Sequence, residues 1–549
     1  MSLLPSRPLA SWLLAAASAL AIGASQPAEA AARRAKVDVI VSNLPAPGSP
    51  AYEAFYKAVG SPKKETLEMT QSERWSVPPA RLAVLHKAAE ALGVTVIRLD
   101  NRRNSLFEPM VPGQPMSPAQ ASMMDATMAS RAVMGATMMK LPEASTVESA
   151  LTKGMHEQRR DAPPALLTVP LSETASVNVR RTSIAKSGEA YVWRGVVEGT
   201  EEGVTLMWWP DGHVSGTIHH GDRMFQVKDM GGGMHAVIEI APKMMPPDHA
   251  PASLDLLKKM NMDEDPLVRQ GDASMLRPDA EQGRAKRPSP SELQNLQDAP
   301  IIKSKHQPFA APGAPALDQP APARKGAPPP EVTIAVLVAY TKAAASRYED
   351  VSRDLVALAV EEANQSFRNS GVGNVQLKLV HSYQTDYVES GSHFDHVWRF
   401  ADRGDGVMEE VHALRDKYAA DVALLIAHDP AGCGLATRVA ADAEEAFAVV
   451  HHECAATMYS LAHEIGHIIG ARHDYALDMS SQPFPYGHGY VHGTKWRTMM
   501  SYKDTCNDCP RLPVWSSPNV RIRGAPAGST TTNNAKVIAD YAGRVAGFR

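Results

Sequence analysis

Cysteine is scarce. The 549 residues hold four, at 433, 454, 506 and 509, so no disulfide framework or thiolate cluster can form before residue 433. A surplus of either charge is also missing: 56 Lys and Arg stand against 60 Asp and Glu, a formal net charge of −4. That balance gives no basic field for nucleic acid or for an anionic membrane surface, so a nucleic-acid partner is not expected. Long apolar runs are nearly absent. Beyond Trp12–Gly23 no stretch of eighteen apolar residues occurs, so stable membrane insertion is not expected either. Arg7 precedes that one run and Ala28-Glu29-Ala30 follows it, a small-x-small pattern before Ala31. This reads as a secretory leader over residues 1–30 and places the product outside the cytoplasm, extracellular or periplasmic.

What is present divides the remaining chain, which is too long for one core. Residues 31–165 mix strand and helix signals. The strands are Val37 to Val41 and Val94 to Leu99, with a helical stretch from Pro79 to Leu92 between them. A methionine-rich segment follows, Met110 to Met139; thioether copper ligation is conceivable there, but adaptable apolar packing against another surface is the favoured reading. Residues 166–245 alternate like a β-meander, with a turn at Pro210-Asp211-Gly212. His219 and His220 fall within it and are read as strand residues rather than ligands. Residues 246–330 are rich in Pro, Ala, Gln and charge, the composition of a solvated, cleavable linker. From residue 331 the pattern becomes strand, helix, strand, helix, strand, a short strand, then a helix, which suits an α/β domain to residue 549.

That last helix carries His463-Glu464-Ile465-Gly466-His467, followed by Gly470 and His473. Residues four apart share a helix face, so His463 and His467 can aim two imidazoles at one metal ion. Gly470 tolerates the left-handed conformation that ends a helix, and the turn returns His473 as a third nitrogen. Three protein ligands with one open position describe a catalytic zinc site rather than a structural one. Glu464 sits one residue round, placed to reach a water at the metal and serve as general base. From the residue frequencies, a chance match to the five positions is on the order of 10⁻⁴ per chain of this length.

A second signal follows in Trp496-Arg497-Thr498-Met499-Met500-Ser501-Tyr502. H-E-x-x-H-x-x-G-x-x-H with such a downstream segment resembles the metzincin zinc endopeptidases. The stretch from Cys433 to Asp474, Pro483 to Tyr490, and the tail Asn533 to Arg549 are similar to the secreted bacterial peptidyl-Asp metalloendopeptidases. The likeness spans roughly Glu331 to Arg549, and Thr437-Arg438 and Glu444-Glu445 depart from the smaller or less charged residues expected there.

The resemblance implies a metzincin-type α/β catalytic domain, with a mixed twisted sheet, a zinc helix and a Met-turn, behind a mixed to β-rich propeptide. It implies one catalytic zinc on His463, His467 and His473, Glu464 as the catalytic residue, and Met500 as the Met-turn methionine, with Met499 the weaker choice. Tyr502 takes the position of a tyrosine that ligates zinc at rest and steadies the oxyanion, and Asp474 a supporting one. Cleavage on the amino side of Asp would need a cation in the P1′ pocket. Arg497, Lys495 and Arg438 are the candidates, with Arg472 behind them. Substrates would be proteins or peptides. A metzincin of different P1′ preference, or an inactive binding or adhesion protein on the same fold, are the competing readings.

Export makes disulfides allowable, and four cysteines permit three pairings. Cys433–Cys454 with Cys506–Cys509 is preferred: it ties the cleft-bordering strand to the segment before the zinc helix and closes a small loop after the Met-turn. A redox dithiol or a second structural zinc at Cys506 and Cys509 lacks the surrounding context it would need. The propeptide is expected to inhibit its own catalytic domain until the linker is cut. With no cysteine before 433, a thiolate cannot cap the zinc, and occlusion must be steric or use a carboxylate or histidine. Composition gives no reading on calcium.

Overall fold

The computed structural model describes residues 37–42, 44–67, 72–78, 81–92, 94–99, 106–109, 116–141, 151, 166–172, 175–221, 223–249, 329–478 and 480–549. The expected leader and nearly all of the Pro/Ala-rich stretch lie outside them. No helix among the described residues is long and apolar enough to cross a membrane.

The catalytic sheet has five strands, ordered Val375–Gln384, Val332–Tyr340, Val422–Ala427, Phe447–His451, Gly434–Ala436. The first four are parallel and Gly434–Ala436 runs antiparallel at the edge. Val422–Ala427 is buried at every position, as a central parallel strand covered on both faces requires, and its sequence is one unbroken apolar run. Helices Leu358–Asn369, Ser460–Ile469 and Asn534–Val545 pack with one face of this sheet, and His393–Ala401 and Glu410–Lys417 with the other. The helix after the first strand of this domain opens as a wider π turn, Ser352–Ala357, before continuing as α-helix over Leu358–Asn369.

All ten residues of Ser460–Ile469 are buried, which is why its sequence is apolar apart from the histidines, Glu464 and Ser460. Leu461, Ile465, Ile468 and Ile469 are fully enclosed, each contributing about 1.5–3 kcal/mol of burial. Gly470 ends the helix at φ 131°, and a Cβ there would lie 2.5 Å from the Phe484 ring.

The amino-terminal region forms one continuous sheet rather than two separate parts. Val133–Lys140 pairs antiparallel with Met234–Ile240, bringing the methionine-rich segment into the same sheet as the meander and crossing the expected boundary at 165. The helix Pro118–Met128 lies beside it. Met123, Met224, Met230, Met234 and Met245 form one cluster with Cys433, Cys454 and Met458 of the catalytic domain. Of the methionine-rich segment, Met123 is buried in this cluster with Met124 and Met138 packed against it and Met139 is buried in the meander core, whereas Met116, Met128 and Met134 are exposed. The meander also docks through polar contacts: the Ser215 hydroxyl donates to the Arg353 carbonyl at 3.3 Å, Arg194 pairs with Glu361, and Thr217 bonds Glu362. His219 and His220 lie in the strand Val214–His220, as expected. His219 reaches the Tyr459 hydroxyl at 2.7 Å, while His220 bonds Glu202 within its own domain.

His213, just before that strand, lies 2.8 Å from Asp229 and 3.1 Å from Asp354 across the interface. Burial alone would push its pKa down, but the two carboxylates outweigh burial and raise it from 6.5 to about 9. A raised pKa means the docked state holds the proton more tightly. The contribution is complete below the ordinary value of 6.5 and lost as pH rises through about 9. Hydrogen exchange of the full chain between pH 6 and pH 10 should show protection of the Arg353–Asp354 turn falling through that window, and a His213→Gln chain should lack the transition.

Candidate metal centre

Three imidazoles converge at the carboxy-terminal half of the site helix. The Nε2 atoms of His463 and His467 lie 3.3 and 2.8 Å from the Nε2 of His473, and all three residues are at most 2% exposed. His463 Nδ1–H donates to the Met499 carbonyl at 3.0 Å and His467 Nδ1–H to the Ala471 carbonyl at 2.9 Å. Those bonds fix the tautomer and leave each Nε2 a bare lone pair. His473 Nδ1 has no such acceptor. Burial pushes all three imidazoles well down in pKa, so they are neutral. Two bare Nε2 lone pairs converging on a third imidazole form a donor set that a cation can share. Tetrahedral ligands at zinc–nitrogen bond lengths stand about 3.3 Å apart, so the set fits a zinc ion.

A fourth nitrogen joins them from an unexpected place. His249, 1% exposed, lies with His463, His467 and His473 in a group whose ligand atoms are all within 4.8 Å of one another. Its Nδ1 is 2.6 Å from the Tyr502 hydroxyl, and its Nε2 has no hydrogen-bond partner. Burial holds it neutral, with a pKa of about 4. Composition places residues 246–249 at the start of a solvated linker. Instead Asp248 and His249 are buried in the cleft, and the Asp248 carbonyl accepts from the N–H groups of Cys433 and Gly434 beside the edge strand.

The other expected residues fall as follows. Glu464 follows His463 on the helix, 1% exposed, with Oε2 unpartnered and its pKa pushed well up by burial. Both Met499 and Met500 are fully buried, but the Met500 sulfur approaches Gly466, between the two helical histidines. Tyr502 stacks edge-on to His473 with centroids 4.6 Å apart. Asp474 accepts the Tyr502 N–H at 3.0 Å, a supporting contact. The disulfides are Cys433–Cys454 and Cys506–Cys509, the preferred pairing.

Of the expected pocket cations only Arg497 reaches the cleft. Its Nη1 donates to Asp248 Oδ2 at 2.8 Å. Arg438 is committed to Glu445 at 2.8 Å, Arg472 to Asp478 at 2.9 Å, and Lys495 lies exposed in the turn before Trp496. Arg511, absent from the expected set, donates to Asp248 Oδ1 at 2.6 Å and to the Met458 carbonyl at 2.9 Å. Burial pushes the Asp248 carboxyl up, but the two guanidiniums outweigh it and hold it below the ordinary value. A backbone bridge between Arg497 and Arg511 sets the pair side by side, a non-local pairing that sequence spacing does not reveal.

A second histidine group, His428, His451 and His452, also meets the spacing for a metal. Arg347 donates to His428 Nε2 at 3.1 Å, His428 Nδ1 lies 3.1 Å from His452 Nε2, and His452 Nδ1 lies 3.0 Å from the Tyr348 hydroxyl. That hydrogen-bonded relay, with a guanidinium at its end, disfavours a cation.

Residues 331–516 match the Reprolysin_5 family model, described as metallo-peptidase family M12. A peptidyl-Asp metalloendopeptidase from Xanthomonas campestris pv. campestris is 35% identical over 338 residues, which is 61% of this chain and 67% of that protein. One from Stenotrophomonas maltophilia is 34% identical over 341 residues, covering 61% and 68%. One from Pseudomonas fragi is 34% identical over 190 residues, covering 34% of this chain and all of the relative. With a buried site that fits zinc and relatives that share its sequence well beyond the metal motif, the chain belongs to the peptidyl-Asp metalloendopeptidase family and is a zinc metalloendopeptidase.

Proposed function

We propose that the protein is exported as a zymogen and, once its linker is cut, hydrolyses peptide bonds on the amino side of Asp. The observation that carries the reading is the convergence of His463, His467 and His473 with Glu464 beside them on one buried helix. His463, His467 and His473 would hold a zinc ion, which would supply a water of lowered pKa and a Lewis acid for the carbonyl. The chain's own groups do the rest. Glu464 takes the proton of the attacking water and returns it to the departing amine. Tyr502, its hydroxyl already 2.6 Å from the nitrogen that occupies the cleft, is placed to donate to the developing oxyanion. Met500 packs beneath the histidines and keeps them from tilting. The edge strand, whose Cys433 and Gly434 N–H groups now hold the pro-segment, offers the same donors to an extended substrate. The Asp preference is supported by the relatives' activity and by the cationic pocket beside the metal centre.

Gly434 is part of this geometry. A Cβ at that position would stand 2.6 Å from Glu464 Oε1, so the strand can approach the carboxylate because it carries no side chain there. Digestion of an unfolded protein by the secreted enzyme, with every product sequenced, tests the whole reading. Cuts should fall before Asp and disappear with a zinc chelator. Glu464→Ala should lower kcat by about 10²–10⁴-fold with zinc content unchanged. Cuts elsewhere would discard the Asp preference and keep the protease. Gly434→Ala should also bind zinc normally while losing at least about tenfold in kcat/KM, because the displaced Glu464 no longer addresses the water.

A further inference from the structure

Two arginines are buried in the cleft with one carboxylate between them, and that carboxylate belongs to the pro-segment. Arg497 and Arg511 are 1% and 7% exposed, and Asp248 is 4% exposed. Each guanidinium takes a separate oxygen of Asp248, at 2.8 and 2.6 Å, and the Lys503 N–H lies 3.4 Å from Oδ2. Among the described residues, no catalytic-domain carboxylate forms an ion pair with either arginine. Backbone carbonyls accept from other donors of both, Cys509 and Ser501 for Arg497 and Met458 and Ser501 for Arg511, while Arg511 Nε has no partner. The backbones are fixed as well. The Arg497 N–H donates to the Pro510 carbonyl at 3.0 Å, the Leu512 N–H donates to the Arg497 carbonyl at 2.9 Å, and the Cys506–Cys509 disulfide closes the intervening loop. The pocket is therefore built by the catalytic domain, and only its anion is borrowed.

We propose that Arg511 together with Arg497 is the pocket that selects the acidic side chain of the substrate, and that Asp248-His249 is a built-in surrogate. Asp248 supplies the side chain the pocket recognises, and His249 presents an imidazole where a substrate would present its scissile carbonyl. The pro-segment thus occupies the specificity pocket and the metal face together without offering a bond to cut. Removing it leaves two buried cations without a counter-ion, a state that an Asp side chain relieves and an Asn side chain does not. A short carboxylate fits because both guanidiniums reach Asp248 while its own backbone remains bonded to Cys433 and Gly434. The inference rests on the zinc endopeptidase reading above and adds Arg511 and Asp248 to it.

The test compares two peptides differing only by Asp or Asn after the scissile bond, using zinc-loaded enzyme recovered from expression of the full chain. Arg511→Met should lower kcat/KM on the Asp peptide by roughly 100-fold while changing the Asn peptide by less than about threefold. An equal loss on both peptides, or no loss on the Asp peptide, would overturn the assignment. If the wild-type enzyme does not cut before Asp at all, the functional reading fails instead. Because Arg511→Met removes a buried group and can impair folding, a second measurement leaves the pocket intact. A labelled peptide of residues 244–252 is titrated by anisotropy into the Glu464→Ala form of the recovered enzyme. It should bind, and its Asp248→Asn and His249→Ala versions should each bind at least about tenfold more weakly. Unchanged binding of the Asp248→Asn peptide would refute the surrogate role of Asp248, and unchanged binding of the His249→Ala peptide that of His249.

Discussion

Two imidazole nitrogens, of His463 and His467, held within 3.3 Å of a third on His473, set the terms for the rest of this molecule. The arrangement persists because the surrounding protein leaves the rings nowhere else to go. Met499 and Ala471 fix two of them through Nδ1. Gly470 turns the chain so that the third can return, and the fully buried helix gives the backbone no freedom to relax. Asp474 ties the third histidine's neighbourhood to the Tyr502 backbone, so the wall that carries Tyr502 moves with the metal site.

The same constraint explains where the segment Pro246–His249 lies. A cleft that ends in bare nitrogen donors and two buried guanidiniums is electrostatically incomplete, and the chain completes it with two adjacent residues, Asp248 and His249. Neither would be stable in so dry a place without its partners, since burial disfavours both a free carboxylate and a protonated imidazole. The contact is anchored further out by the methionine cluster against the Cys433–Cys454 disulfide and by the meander against the helix Leu358–Asn369.

Much of the catalytic domain was legible because its signals are local. A β-branched run such as Val332–Tyr340 has few alternatives to a buried strand, and histidines at i and i+4 before a glycine have one geometry. The disulfide pairing was legible too, since only two residues lie between Cys506 and Cys509. The pocket was half legible. Arg497 lies next to the Met-turn and could be suspected, whereas Arg511 lies beyond the disulfide loop and reaches the same carboxylate through a backbone pairing that leaves no periodic trace. Arg438 and Lys495 looked equally plausible on charge alone, and Glu445 and solvent claimed them.

The amino-terminal region shows the opposite balance. Its strands were readable one at a time, but the pairing of Val133–Lys140 with Met234–Ile240 joins residues about a hundred positions apart. Composition assigned Pro246–His249 to a solvated linker, because proline and charge usually mean exposure. The sequence by itself brought out the three histidines, Glu464 beside them and the strand–helix order, since each follows from spacing within one or two turns of chain. Tertiary structure alone decided which cations face the cleft, that Asp248 and His249 sit among them, and how the amino-terminal sheet packs against the domain that carries the site. Those depend on burial and charge pairing between distant segments, and a buried charge finds its partner only when the fold brings that partner to it.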